Sequence, residues 1–408
     1  MKRFNKNEWR KVRIEEVFKK VISGEWGEEN IEDSENTVYI IRTTNFKNDG
    51  SIDIKEKEVI KRKIEKNKII DKKLEEKDII IEKSGGSPNQ PVGRVVYFNL
   101  KADKEFLCNN FTSILRTKDE IESKYIYYFL QKCYKERKVL KFQNKTTGII
   151  NLKLQDYLRN TQVYLPSLDE QKRIVKIMDK VFSIIKFQQE KLLKLEKLSK
   201  CLFFEMFGDP ILNEKKWNIF NFSQVCEINP SKSELENIDN NTEVSFIPMS
   251  SVSTKGEVLT KEIKRFEEVK IGFTYFKEKD VLFAKITPCM ENGKGGIAKN
   301  LKNGIGFGST EFHVLRPKDK VSNSYWVYYI SMLPFFRKNA EKIMTGSGGQ
   351  KRVPISYFKN VIIGLPPIEL QNKFAERIKL IEKSKFEIQQ SIDETQKLYD
   401  SLMEKYFG

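Results

Sequence analysis

The sequence predicts an α+β protein built twice: two mixed α/β domains related by approximate two-fold symmetry and joined by two long antiparallel helices that form a coiled coil. Three observations predict it. Residues 165–208 and 365–408 are one segment repeated in register, at a constant offset of 200 and without a gap. Each copy carries an unbroken period of alternating 4 and 3, apolar at most of its positions, the spacing of a helical seam. Each copy also follows a globular stretch, 1–165 or 208–365, whose apolar framework repeats more loosely.

The first helical copy opens Leu165-Pro166-Ser167-Leu168-Asp169-Glu170-Gln171, the second Leu365-Pro366-Pro367-Ile368-Glu369-Leu370-Gln371, and they close on Phe207-Gly208 and Phe407-Gly408. Proline suits a helix start, where backbone N–H groups have no helical partner in any case. The first seam reads Ile174, Met178, Val181, Ile185, Gln188, Leu192, Leu195, Ser199, Leu202 and Met206. The second keeps phase as Phe374, Ile378, Ile381, Lys385, Ile388, Ile392, Thr395, Tyr399, Leu402 and Tyr406. Helices lying on separate globular cores would need a broader apolar face than this narrow stripe. The residues between are largely Lys and Glu, as a solvated flank requires. Spans of 166–207 and 366–408 are therefore expected. At about 40 residues each, and 1.5 Å of rise per residue, they would be roughly 60 Å long. The chain crosses a whole globular domain between the two helices, so antiparallel packing follows from connectivity.

In the globular stretches, Glu76-Lys77-Asp78 before Ile79-Ile80-Ile81 is matched by Glu278-Lys279-Asp280 before Val281-Leu282-Phe283. Leu115-Arg116-Thr117-Lys118-Asp119 is matched by Leu315-Arg316-Pro317-Lys318-Asp319. Tyr125, Tyr128 and Tyr157 recur as Tyr325, Tyr328 and Tyr357, and Trp9 has a counterpart in Trp217. The Gly-, Asn- and Thr-rich loops do not recur, so one scaffold carries two different loop sets.

With 408 residues, 39% hydrophobic and 32% charged, the chain can bury two cores of ordinary domain size. No apolar run approaches the ~18 residues of a membrane-spanning helix, and Met1-Lys2-Arg3-Phe4-Asn5 leads into a polar segment without a signal-peptide core. A cytoplasmic protein is expected, with no membrane partner. Cys108, Cys133, Cys201, Cys226 and Cys289 lack paired spacing and read as reduced, mostly buried thiols. Lys plus Arg number 74 against 57 Asp plus Glu, a net charge of +17, which favours a polyanionic partner. A Lys-, Ile- and Asn-rich composition of the kind AT-biased genomes produce also contributes to that balance.

Catalytic machinery is mostly missing from the pattern. His313 is the only histidine and sits in the alternating run Glu311-Phe312-His313-Val314-Leu315, where a packed strand position is expected rather than a triad or a metal site. Gly304-Ile305-Gly306-Phe307-Gly308 leads into a strand, which weakens a phosphate-cradling reading, and no Gly-x-x-x-x-Gly-Lys-Ser/Thr loop occurs. There is no Asn/Asp-Pro-Pro-Tyr string of the kind amino-methyltransferases use, and no carboxylate pair stands out. No catalytic residue, metal or cofactor is assigned to the chain.

Function is therefore expected in the loops. The strand Asp78–Glu82 runs into Lys83-Ser84-Gly85-Gly86-Ser87-Pro88-Asn89-Gln90-Pro91-Val92-Gly93-Arg94. Asn89 and Gln90 can pair with adenine N6 and N7, Arg94 can fork onto guanine O6 and N7, and Ser84 and Ser87 suit phosphates. The same string also fits a solvated surface loop with no partner. Asn144 to Leu152, Lys285 to Lys294, Gly308 to Glu311 and Thr345 to Arg352 have the same character, with glycines that permit close backbone approach. Candidate DNA contacts are Ser84, Ser87, Asn89, Gln90, Arg94, Lys145, Thr146 and Thr147 in the first domain. In the second they are Lys285, Thr287, Glu291, Asn292, Lys294, Ser309, Thr310, Gln350, Lys351 and Arg352. Glu291 can accept from cytosine N4 or, equally, pair with Lys294 or Arg352.

The twofold Leu-Pro-x-h-x-x-Gln helix, each copy behind a variable domain, resembles the specificity subunit of type I restriction-modification systems. Thr287-Pro288-Cys289-Met290-Glu291-Asn292-Gly293-Lys294, Gly308-Ser309-Thr310-Glu311-Phe312 and Thr345 to Pro354 are similar to strings in that family's target recognition domains. So are Lys83 to Arg94 and Thr146-Thr147-Gly148-Ile149, and the likeness covers essentially the whole chain. The resemblance implies a non-enzymatic reader of double-stranded DNA: each recognition domain reads half of an asymmetric bipartite site, and the helix pair sets the spacer. It implies two modification subunits that bring S-adenosylmethionine, and restriction subunits that bring ATP and Mg2+ chemistry. Two other classes remain open from the residues alone. One is a basic coiled-coil scaffold that binds nucleic acid or acidic partners without sequence preference; the other is a nuclease built on scattered Asp, Glu and Lys.

Overall fold

The computed structural model describes residues 8–29, 37–54, 59–87, 89–100, 104–146, 149–347 and 349–408. It divides into two compact units, 1–188 with 391–408, and 189–390, so each long helix contributes to both. Among the described residues no helix is long and apolar enough to cross a membrane.

Each unit contains the same two sheets. In the first, Phe18–Ser23, Thr112–Thr117, Ile79–Glu82 and Val95–Tyr97 lie in that spatial order, all antiparallel. In the second the order is Cys226–Ile228, Phe312–Pro317, Val281–Ala284 and Gly295–Ile297, again antiparallel. Ile79–Ile81 and Val281–Ala284 read as continuous apolar runs because these strands are buried on both faces. Leu282 and Val314 fill one cluster, while Val281 and Phe283 join Trp326, Phe336 and Phe358 in another.

A second sheet in each unit contains one parallel pairing, Thr37–Ile41 with Phe106–Cys108 and Glu243–Ile247 with Ile305–Gly308. The glycines of Ile305–Gly308 serve this packing. A Cβ on Gly306 would lie 2.1 Å from Cε2 of Phe276, and one on Gly308 2.2 Å from the Ile247 carbonyl oxygen. Close approach of neighbouring strands, rather than a bound phosphate, accounts for this run.

The repeated motifs turn out to be ion pairs and anchors. Arg116 Nε and Nη2 donate to Asp78 Oδ1 and Oδ2 at 2.9 and 2.8 Å, and Arg316 grips Asp280 at the same two distances. Both aspartates are 1% exposed, and burial pushes their carboxyls up against the opposing pull of the arginines. A short ribbon closes each domain, Arg10–Arg13 with Gln162–Leu165 and Asn218–Asn221 with Ile362–Leu365. Each ribbon delivers the chain into a long helix, Leu168–Phe207 or Ile368–Phe407.

The glutamine of the repeated opening fixes that junction. Gln171 Nε2 donates to Pro166 O at 2.9 Å while its Oε1 accepts from the Glu122 backbone at 3.0 Å, and Gln371 does the same with Pro366 and Asn323 at 2.8 and 2.9 Å. Further along, Ile174, Met178, Val181, Ile185, Leu202, Phe374, Ile378, Ile392 and Tyr399 are buried. Leu192, Leu195, Ile381, Ile388 and Leu402 are partly buried, and none of the seam positions is exposed.

Within the first unit the start of one helix meets the end of the other, Phe182 against Tyr399 and Gln188 Nε2 donating to Ser391 Oγ at 2.6 Å. Within the second unit Phe203 and Phe207 pack on Phe374. Each pairing is antiparallel. At the helix ends the apolar face broadens beyond the seam, since Phe407 reaches Tyr125 and Tyr128 of the first domain. Of the cysteines, Cys108, Cys133 and Cys226 are buried, Cys289 is intermediate and Cys201 is exposed on its helix.

Candidate nucleic-acid interface

In the first domain the loop segments expected from sequence are knit together as an antiparallel sheet of Gln143–Thr146, Ile149–Leu152 and Ser84–Gly86. Such short Gly-, Asn- and Thr-containing strands carry little periodic signal, and tertiary pairing creates them. Ser84 Oγ donates to Asn151 Oδ1 at 2.6 Å. Ser87 and Gln90 exchange backbone bonds of 2.8 and 3.0 Å, and this turn leaves Asn89 and Gln90 exposed. Lys145 and Thr146 lie on the outer strand; Thr147 falls outside the described residues, as do Pro88, Gly148 and Gly348.

Arg94 sits differently from the outward fork expected of it. Its Nε and Nη2 donate to Glu82 at 2.8 and 3.0 Å, Nη2 also reaches Thr43 O at 3.2 Å, and the guanidinium lies 5.6 Å from the Phe46 ring centre. Glu82 is 3% exposed, so the pair is a buried, two-point ion pair. The Gln90 amide oxygen, oriented to satisfy both groups, accepts from Arg94 Nη1 at 2.6 Å. Arg94 thus holds the turn that presents Gln90 and Asn89.

In the second domain the corresponding segments meet through single bridges, Ile286 with Arg352 and Thr345 with Arg352. Thr287 N donates to Lys351 O at 3.0 Å, and Thr287 Oγ1 donates to Glu291 Oε1 at 2.7 Å. The partner of Arg352 is Glu311, reached through Nε at 3.0 Å and Nη2 at 2.7 Å. Glu291 is therefore not the carboxylate on Arg352, and Lys294 instead donates to Met249 O at 3.1 Å. Glu291, Asn292, Thr310, Gln350 and Lys351 are exposed, whereas Lys285, Thr287, Lys294, Ser309 and Arg352 are partly buried. Ser309 Oγ caps the tight turn by accepting from Glu311 N at 3.2 Å.

Sequence reasoning missed the group that holds the 287–294 loop from beneath. Arg337, on the helix Pro334–Lys342, is 7% exposed and donates to Met290 O at 2.6 Å, Lys294 O at 3.3 Å and Ser331 O at 3.0 Å. Its guanidinium stacks 4.5 Å from the Phe283 ring centre, and burial lowers it to about 10. The one sequence signal was a cation directly after Pro334-Phe335-Phe336, in line with an apolar helix face.

His313 is structural. It is 5% exposed, its Nε2 lies 2.8 Å from Val353 O and its Nδ1 3.1 Å from Asn229 Nδ2, and burial pushes it down to about 4. The ring is neutral at pH 7, with Nε2–H donating to the carbonyl and Nδ1 accepting from the amide. Among the described residues no His, Cys, Asp and Glu cluster could hold a metal ion.

A family model described as "Type I restriction modification DNA specificity domain" matches residues 6–197 and 214–396. The chain is 39% identical over 192 residues to the type I restriction enzyme EcoAI specificity subunit of Escherichia coli, covering 46% of this chain and 32% of that protein. It is 36% identical over 215 residues to the Escherichia coli EcoEI specificity subunit, covering 52% and 36%. These matches thus span about a third of either relative's length. The crystal structure of a type I restriction-modification S subunit from M. genitalium is similar in fold, with a TM-score of 0.56 at 16% identity, covering 100% of this chain and 98% of that one.

Proposed function

The chain belongs to the type I restriction modification DNA specificity family, and on that premise we propose that it reads double-stranded DNA as the specificity subunit of a modification complex. The observation that carries this reading is one duplicated scaffold bearing two unlike, polar, rigidly seated loop sets. Target recognition domains at 1–165 and 208–365 would each read one half-site, and helices at 166–207 and 366–408 would set the spacer. Unlike loops call for unlike half-sites, where a symmetric dimer would read a palindrome. Two modest half-site affinities on one molecule combine through effective concentration.

The exposed polar side chains are the proposed base readers: Asn89 and Gln90 in the first domain, Glu291, Asn292, Gln350 and Lys351 in the second. Lys145, Thr146, Thr147, Lys294, Thr287, Ser84, Ser87, Ser309 and Thr310 would support them or meet phosphates. Arg94 and Arg352, already engaged by glutamates, would position loops. The chain itself would contribute no catalysis. Two modification subunits would bring S-adenosylmethionine, and restriction subunits ATP and Mg2+, all in the cytoplasm.

The test is to incubate the full chain, with and without a candidate modification subunit, with a random duplex pool at ~0.15 M salt and to sequence what is retained. An asymmetric bipartite motif with a fixed gap is expected. Retention without any motif, and no gain from the partner, would favour the unspecific scaffold. Inserting seven residues into each long helix should lengthen the preferred gap by about three base pairs, since a heptad rises roughly 10 Å.

A further inference from the structure

Lys83 and Lys285 occupy the same place in the two domains. Each directly follows its central strand, Ile79–Glu82 or Val281–Ala284. Lys83 N donates to Phe111 O at 2.8 Å and its carbonyl accepts from Leu152 N at 2.8 Å. Lys285 N donates to Glu311 O at 2.9 Å and its carbonyl accepts from Val353 N at 2.9 Å. By strand alternation both side chains lie on one face of the sheet, the face of Ile81 and Ser113 in the first domain and of Phe283 and His313 in the second.

The residues that flank this position along the chain have diverged. The preceding residue is Glu82 in one domain and Ala284 in the other, and the following residue is Ser84 or Ile286. Only the lysine is kept at the heart of two unlike loop sets.

Both lysines are partly buried, and among the described residues neither has a carboxylate within ion-pair distance. Lys83 Nζ has a hydroxyl, Ser23 Oγ, at 3.0 Å. The glutamate beside Lys285 is Glu311, already forked by Arg352 at 2.7 and 3.0 Å. Nearby cations are neutralised in the ordinary way, Lys72 by Glu25 at 2.7 Å and Arg94 by Glu82 at 2.8 Å. Burial holds both lysines below their usual range. A desolvated cation without a counter-ion is a standing cost to the fold, and an incoming anion removes it.

We propose that Lys83 and Lys285 are matched phosphate anchors, each binding the DNA backbone of its own half-site so that two different loop sets approach their bases in one shared orientation. The proposal rests on the DNA-reading function given above and adds the contact that does not depend on sequence. Phosphate is the one chemical feature that unrelated half-sites have in common, which fits a cation retained where the neighbouring side chains differ.

The test uses the full chain assembled with its modification subunits and a fluorescent duplex carrying the motif recovered from the random pool. Lys83→Ala and Lys285→Ala should each lower the slope of log K against log salt by about 0.9 and weaken binding about fivefold at ~0.15 M salt. The motif reselected from random DNA should be unchanged, and Lys→Arg should keep the slope. Lys83→Met and Lys285→Met should leave the unfolding midpoint level or raised, because a desolvated charge is removed; a lowered midpoint would make the lysines structural and overturn the proposal. An unchanged slope, or a new base preference, would also overturn it while leaving the DNA-reading function intact. A parent complex that selects no motif at all would overturn both.

Discussion

The first domain seats its polar loop segments in a three-stranded sheet, whereas the second seats them on single bridges around Arg352 and on a buried guanidinium, Arg337, beneath the 287–294 loop. Each nonetheless ends with a glutamate gripping an arginine at the loop base. The glutamates come from places that do not correspond: Glu82 pairs across the sheet with Thr112, and the residue in that slot of the second domain is Ala284 opposite Phe312. Likewise Arg352 stands opposite Ile286 where the first domain has Asn151 opposite Ser84. The scaffold thus requires a stiff loop base but leaves open which residues supply it, which is how one fold carries unrelated loop chemistry.

The largest expected effect tests whether the scaffold is as equivalent as its ion pairs suggest. Arg116→Ala strands Asp78 and Arg316→Ala strands Asp280, each a buried carboxylate that loses a two-point partner. Losses of about 3–5 kcal/mol are expected from either, read by urea unfolding with hydrogen exchange to locate the loosened unit. The two variants should lose similar amounts, each in its own unit; a large inequality would break the equivalence.

These ion pairs also show what was legible in the chain. The strings Glu-Lys-Asp and Leu-Arg repeat because Asp78 and Arg116, and again Asp280 and Arg316, must meet inside a sheet, and a buried pair fixes its residues tightly. The seam was legible for a similar reason, since a 4-3 stripe is a periodic property of local sequence. The sheet of 84–86, 143–146 and 149–152 was not legible, because its hairpin is made of short strands with little periodic signal and its third strand, Ser84–Gly86, comes from a distant part of the chain. For Arg94 the sequence leaves an outward fork open, because nothing in its neighbourhood reveals that Glu82, twelve residues earlier, lies across from it. Arg337 was invisible for the same reason, since the loop carbonyls it holds, Met290 O and Lys294 O, lie more than 35 residues away.

The next effect sharpens the contrast between the loop bases. Arg94→Ala leaves Glu82 buried without its partner and should destabilise the first unit by about 3 kcal/mol. Replacing both, Glu82→Gln with Arg94→Gln, should recover part of that loss, and DNA selected by the double variant should keep the same first half-site, read with relaxed preference. If the double variant stays folded yet reads a different base there, Arg94 is a reader rather than a support.

A smaller effect is confined to the second unit. His313 has a folded pKa of about 4, below its ordinary 6.5, so the unfolded chain takes up a proton before the folded one does. Stability from this group is complete above about pH 6.5 and is lost as pH falls toward 4, amounting to about 2 kcal/mol by pH 5. His313 is the only histidine, so His313→Asn should flatten the stability slope between pH 6.5 and 5 more than any carboxylate variant. A slope unaltered by that substitution would assign the acid sensitivity elsewhere.

The smallest expected change in stability comes from Arg352, and there the two loop bases should part company. Its side chain is 42% exposed, against 15% for Arg94, although both grip a glutamate with two nitrogens. Solvent screens the exposed pair and compensates either partner when the other is removed, so Arg352→Ala should leave the unfolding midpoint nearly where it is. What it should disturb is presentation. Arg352 Nη1 donates to Gln350 O at 3.1 Å, and the Arg352 backbone bridges both Ile286 and Thr345, so the exposed Gln350 and Lys351 take their direction from it. Selection from random DNA should then show relaxed preference in the second half-site only, with the first intact. A variant that unfolds like the Arg94 one would mean the exposed fork is as structural as the buried one, and the distinction between the two loop bases would fail.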